Sequence, residues 1–227
     1  MIIYFGGCNS PYVIHALGET DAKRILISFT GKHSKNSWML YRQYGFEIAA
    51  DSGAFTAWQS GKPCDIHQYM QWLNKHDIKT YFNMDVVGDV NETEKNQTIM
   101  ENEGFKPVPV FHYGSDFSEL NRLVDKYDLV GLGGTVGRSF NTKVKWFQRI
   151  FTEHPTGRFH AFGTTNEKLI CQFPFFSCDS TWWLYKFWDE NQKMFSNSKC
   201  PRKERIARVK YLLSLEDVFT GFQPVIF

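Results

Sequence analysis

Short apolar, β-prone runs recur along the chain at Ile2 to Phe5, Ile25 to Phe29, Ile48 to Asp51, Thr80 to Asp85, Val108 to Tyr113, Leu129 to Leu132, Phe159 to Phe162 and Phe175 to Asp179. Helical patterns lie between them. Ile66, Tyr69, Met70 and Leu73 fall at i, i+3, i+4 and i+7, as do Leu120, Leu123, Val124 and Tyr127, and Val144, Phe147 and Phe151 keep the same period. Parallel strands need a crossover, usually a helix, so this alternation predicts a parallel sheet. Eight such units in 227 residues fit a compact single-domain (β/α)8 TIM-like barrel better than the runner-up, a doubly wound open sheet. The expectation is one domain over 1–227, with a basic helix over 202–215.

Composition narrows the class. With 42% hydrophobic and 22% charged residues the chain can bury a core, which excludes a disordered or collagenous protein. A net charge of +2 leaves any nucleic-acid surface to local clusters. The 17% aromatic content supplies core area and flat faces on which bases can stack. Cys8, Cys64, Cys171, Cys178 and Cys200 lack the spacing of a tetrahedral zinc site, so no metal is expected. The start MIIYFGGCNS lacks a basic n-region, and no stretch reaches the roughly 20 apolar residues of a membrane span. The expected location is the cytoplasm, with reduced thiols and no membrane partner.

Glycines and polar residues follow the strand runs: Gly6-Gly7, Asp51-Ser52-Gly53, Asp85, His112-Tyr113-Gly114, Gly131 to Gly134, Gly163 and Cys178-Asp179-Ser180. Such residues end strands and cap helices in any α/β protein. In a barrel they also lie on the face where the loops build an active site. Asp51, Asp85 and Asp179 each close an apolar run. Paired carboxylates suit substitution at an anomeric carbon, one attacking C1′ while another protonates the leaving group.

These residues resemble a known family. Asp51-Ser52-Gly53-Ala54-Phe55 looks like the D-S-G-G-F motif of tRNA-guanine transglycosylases. Gly131-Leu132-Gly133-Gly134 resembles their glycine-rich base-binding strand end, and Phe176-Ser177-Cys178-Asp179-Ser180 sits where they carry the nucleophilic aspartate. Asp85, in Asn83-Met84-Asp85, falls where the family reads the base edge. The likeness spans Phe5 to Trp183. The family's Cys-rich zinc subdomain is missing, since only Cys200 follows Asp179. The short chain is therefore closest to the compact, phage-type DpdA-like enzymes that place 7-deazaguanines into DNA.

The resemblance implies roles. Asp179 would attack C1′ of a deoxyguanosine, and Asp51 would act as general acid and then base. Asp85 would accept hydrogen bonds from the base edge, Ser52 is a further substrate-binding candidate, and Gly133 and Gly134 would let the backbone approach the base closely. No cofactor is consumed. The implied partners are DNA, or else RNA, and a free 7-deazaguanine (preQ0-like) base, in a host cytoplasm if the gene is phage-borne. The target must be flipped out or single-stranded, and Phe55, Tyr113 and Trp182 are candidates for its stacking wall. His112 ends a strand run and is a further candidate for the mouth, as is His160.

Lys199, Arg202, Lys203, Arg205, Arg208 and Lys210 form the one basic cluster. On a helix, Ile206, Val209, Leu212 and Leu213 would face the barrel, leaving the cations outward for phosphates. Three other functions use some of the same residues: a tRNA-directed enzyme, a small-molecule nucleosidase or glycosidase, and a non-catalytic base-binding protein.

Overall fold

The computed structural model describes residues 1–185, 188–189, 194–195 and 201–219. Eight strands, β1 (Ile2–Gly6), β2 (Arg24–Ser28), β3 (Glu47–Asp51), β4 (Thr80–Tyr81), β5 (Val110–His112), β6 (Val130–Gly133), β7 (Phe159–Ala161) and β8 (Ser177–Ser180), form one sheet. Its order is β4-β3-β2-β1-β8-β7-β6-β5, and every neighbouring pair is parallel. The outermost strands meet through a parallel bridge between Phe82 and Val108. Asn83 N–H donates to Val108 O and Val108 N–H to Tyr81 O, both at 2.9 Å. The sheet therefore returns on itself as a (β/α)8 barrel, and the open doubly wound alternative is set aside.

A helix follows each strand: α1 (Pro11–Gly18), α2 (Lys35–Gln43), the pair α3 (Ala54–Ser60) and α4 (Ile66–His76), α5 (Val90–Asn102), α6 (Phe117–Lys126), α7 (Phe140–Glu153), α8 (Glu167–Gln172) and α9 (Arg202–Phe219). The side chains of Ser34, Asp65, Asp89, Asp116 and Ser139 accept from first-turn backbone N–H groups and so start α2, α4, α5, α6 and α7. Between β8 and α9 run a 3-10 turn at Trp182–Leu184 and a two-stranded antiparallel ribbon, β9 (Trp188–Asp189) and β10 (Met194–Phe195).

Two apolar layers result. Ile3, Phe5, Ile25, Ile27, Phe111, Leu132 and Phe159 face outward and meet the helices. Leu26, Ala49, Phe82 and Val110 face the lumen, joined there by Tyr4, Val108 and Phe162. Period-2 alternation along each strand produces this split. A Cβ on Gly131 would come 2.8 Å from Phe162 Cε2, so a glycine on β6 makes room for the lumen aromatics.

α9 fills the place of the eighth crossover helix. It packs on α1 and β1 through buried Val209, Leu212 and Leu215. Glu216 Oε1 accepts from Ile3 N–H at 2.5 Å, an amide that strand pairing leaves open. Ile206 and Leu213 are half-buried, so the apolar face lies where its spacing predicts. The outward placement of the cations needs correction. Arg205 is 1% exposed and lies over the Tyr12 ring. Arg208 lies 4.6 Å over the Trp182 ring and donates to the carbonyls of Trp182 and Tyr185 and to Glu204. Arg202 pairs with Glu19. Arg208 thus satisfies backbone carbonyls left by the turn after β8. Lys203 and Lys210 remain exposed, while Lys199 and Cys200 lie outside the described residues.

Candidate active site

The alternation that fills the lumen also sets its rim. Ala49 faces inward, so Asp51, two residues on along β3, faces inward one layer higher, and His112 stands above Val110 and Gly133 above Gly131 in the same way. Asp179 follows Ser177 on β8 at the same end. The site is thus built at the C-terminal ends of parallel strands, where barrel loops converge.

Asp51 is pushed up to about 7, first by burial and then by the charges of Asp85 and Asp179, while the backbone N–H groups of Ser52 and Gly53 pull it partly back. Asp85 and Asp179 are therefore each near enough to Asp51 to act on it, as a shared site requires. Gly53 has φ of 82°, and a Cβ there would lie 2.4 Å from Thr30 Oγ1, so only glycine lets the chain turn from Asp51 into α3.

Asp85 lies beyond the end of β4, on a loop, although the apolar run from Thr80 reaches it. Its Oδ1 accepts from Ser52 Oγ at 3.1 Å and its Oδ2 lies 2.8 Å from His112 Nε2. α5 holds this loop from below: Asn96 Nδ2 donates to Met84 O at 2.9 Å, and Thr93 Oγ1 accepts from Val86 N–H at 2.8 Å. Each Asp85 oxygen keeps acceptor capacity for a further donor.

Asp179 is 8% exposed and its Oδ1 accepts from Gly163 N–H at 3.1 Å. Directly beneath, His160 is fully buried, with Nδ1 2.8 Å from Ser177 Oγ. His160 Nε2 lies 3.4 Å from Asp179 Oδ1 and has no hydrogen-bond partner in the described residues. His160 also packs on Phe82 and Phe162, with ring centroids 4.7 Å away in both cases. The ring, fixed by these neighbours, limits the orientations open to the Asp179 carboxyl above it.

The remaining predicted residues divide. Ser52 is buried within the Asp85 network. A Cβ on Gly133 would come 2.8 Å from His112 Cδ2, so this glycine admits the ring that holds Asp85. Gly134 has φ of 76° and lies against the Tyr113 backbone. Tyr113 is covered by Arg138, whose guanidinium sits 3.8 Å over its ring while Nε donates to Gly134 O. Phe55 is exposed on α3 beside exposed Trp58. Trp182 stacks under Arg208.

Sequence reading missed Trp58, Asn96 and Thr93, and it placed Gly163 at the strand-end face without its contact to Asp179. Trp58 borders a cleft of about 710 Å³ that also touches Cys64, Met84, Asp85, Val86 and Asn96. A polar face where α5 should be apolar was the available signal for Thr93 and Asn96. Among the described residues no group of three or more His, Cys, Asp or Glu is placed to hold a metal ion, and no helix is long and apolar enough to cross a membrane.

No family model and no curated protein matches the chain. Solved structures do. A 4-hydroxy-2-oxoglutarate aldolase/2-deydro-3-deoxyphosphogluconate aldolase from TTHB1 superposes with a TM-score of 0.58 at 10% identity, covering 94% of this chain and 93% of that one. A KDPGal structure gives 0.60 at 10% identity, covering 97% and 95%. A mutant tryptophan synthase alpha-subunit from Pyrococcus furiosus gives 0.57 at 12% identity, covering 97% of both chains. At such identity the likeness establishes architecture alone: the chain is a (β/α)8 barrel.

Proposed function

We propose that the protein is a base-exchange transglycosylase that replaces guanine in DNA with a free 7-deazaguanine base. The observation that carries this reading is the convergence of Asp51, Asp85 and Asp179 at one rim, with Asp51 raised to about 7. A group of that pKa can give a proton and take one back near neutrality. In the first half-reaction an Asp179 oxygen bonds to C1′, the C1′–N9 bond breaks, and guanine leaves with the Asp51 proton. In the second, the incoming base loses its N9 proton to Asp51, bonds to C1′ and releases Asp179. Asp85, fixed by Ser52 and His112, accepts from the N1–H and exocyclic amine of either base. The Gly163 amide and His160 orient Asp179 for attack.

The test is a trapped intermediate. Guanine-containing DNA without an acceptor base is expected to give a protein-DNA adduct that survives denaturation, and Asp179→Ala is expected to abolish it. Asp51→Asn is expected to slow adduct formation by about 10² to 10⁴-fold. Nucleoside mass spectrometry of DNA and tRNA incubated with deazapurines identifies the polymer. Wild-type exchange of labelled guanine by Asp179→Ala would refute the assignment.

A further inference from the structure

α2 and α4 enclose a second cleft of about 520 Å³, lined by Lys35, Trp38, Met39, Arg42, Lys75 and His76 together with His33, and by no carboxylate. Lys35, Arg42 and Lys75 are exposed, and among the described residues none of the three has an acidic partner at ion-pair distance. Arg24, Lys79, Lys95, Arg122, Lys126 and Arg149, by contrast, each meet a carboxylate, so what sets this cleft apart is three such cations gathered around one aromatic surface. The cations of this cleft flank an aromatic surface. The Trp38 and His76 rings stack at 3.7 Å with an interplanar angle of 4°, and Trp72 abuts both. Met39 beside them is 57% exposed.

The cleft reaches toward the barrel mouth. His33 at its upper end contacts Ser28 O through Nε2 at 3.0 Å, and Ser28 is in register with Asp51. A strand of nucleic acid that placed one nucleotide over Asp51 could therefore lay neighbouring phosphates along α2 and α4. On the C-terminal basic helix Arg205 and Arg208 are turned to internal partners, which leaves Lys203 and Lys210 as its exposed cations. We propose that the α2–α4 cleft is the phosphate track for a single-stranded nucleic acid entering the barrel mouth, its bases or sugars resting on Trp38 and Met39. This rests on the base-exchange reading for the identity of the polymer. His76 supports it: burial and the charges of Lys75, Arg42 and His33 lower its pKa, so the cleft carries the positive potential an anion would relieve.

Fluorescence anisotropy with a labelled single-stranded DNA 12-mer tests the track. Each phosphate neutralised on a single strand contributes about −0.7 to the slope of log K against log salt, so Lys35→Gln/Arg42→Gln/Lys75→Gln is expected to flatten that slope by about 2. The affinity at low salt is expected to fall by about 10-fold or more. In the unmutated protein, the NMR titration midpoint of His76 is expected to rise when the 12-mer is added, because phosphates offset the charges of Lys75, Arg42 and His33. An unchanged affinity and slope, an unmoved His76 midpoint, or binding of anionic vesicles without binding of the 12-mer would each overturn the track. Binding through the cleft without any base exchange would sink the proposed reaction and leave the track standing. Base exchange by the triple variant at the wild-type KM for DNA would do the reverse.

Discussion

A carboxyl held near neutrality carries its consequence into both stability and rate. Asp51 binds its proton more tightly in the fold than in the unfolded chain, where it titrates in the ordinary carboxylate range. Between about pH 4 and 7 the native state thus holds the extra proton, and stability falls as pH rises through that window, then levels above about 7. The full effect is at most about 4 kcal/mol. Asp51→Asn is expected to remove this slope, so that denaturation midpoints at about pH 5 and about pH 8 lie closer together than in the wild type. In the proposed exchange reaction the limb that falls above about 7 should vanish with the same substitution. Equal pH dependence in both proteins would show that the proton sits elsewhere. The acids were readable from sequence because each closes an apolar run, but their partners were not. His112 and Asp85 are 27 positions apart, and His160 and Asp179 meet only because β7 and β8 are neighbours in the barrel.

Elements were legible where one face alone is apolar. α4, α6 and α7 show the helical period because their outer faces meet water, with buried Tyr69, Met70 and Leu73 in α4 as the example. α1 hides its period, since four of its eight residues, Val13, Ile14, Ala16 and Leu17, are buried between the sheet and its neighbours α2 and α9. α5 hides it for the opposite reason: its buried face includes Thr93, Asn96 and Gln97, the first two of which secure the Asp85 loop rather than fill a core. Strand ends were less legible, because Asn83 and Met84 continue the run of β4 after its ladder has stopped. α9 read correctly as a helix with its apolar face on the barrel, but its cations were expected outward, whereas Arg205 and Arg208 turn to internal partners. Leu212, 1% exposed, makes the packing of that face measurable. Leu212→Ala is expected to destabilise the whole domain by about 2 to 5 kcal/mol in a single cooperative transition. An unchanged urea midpoint would mean that the helix is dispensable.

At the scale of the whole molecule, the lumen and the rim are one construction. Phe82, Phe162 and His160 pack the lumen beneath the carboxyls, which therefore stand over a floor of aromatic rings. The ring is not equally fastened all round. β2 and β3 are paired over five residues, from Arg24 and Glu47 to Ser28 and Asp51, while β4 and β5 are joined by the Phe82–Val108 bridge and the two hydrogen bonds beside it. The barrel behaves, in mechanical terms, as a hoop with a clasp. The amides of Asn83 and Val108 are expected to exchange with solvent deuterium sooner than that of Ile27 in the β2–β3 wall. Equal protection at both places would show that no clasp exists. Asp85 follows Asn83 of this joint by two residues, so unfastening there would loosen the carboxylate proposed to read the base and widen the hoop on that side. Entry and departure of a flat purine could then be timed by this one joint while the opposite wall stays shut.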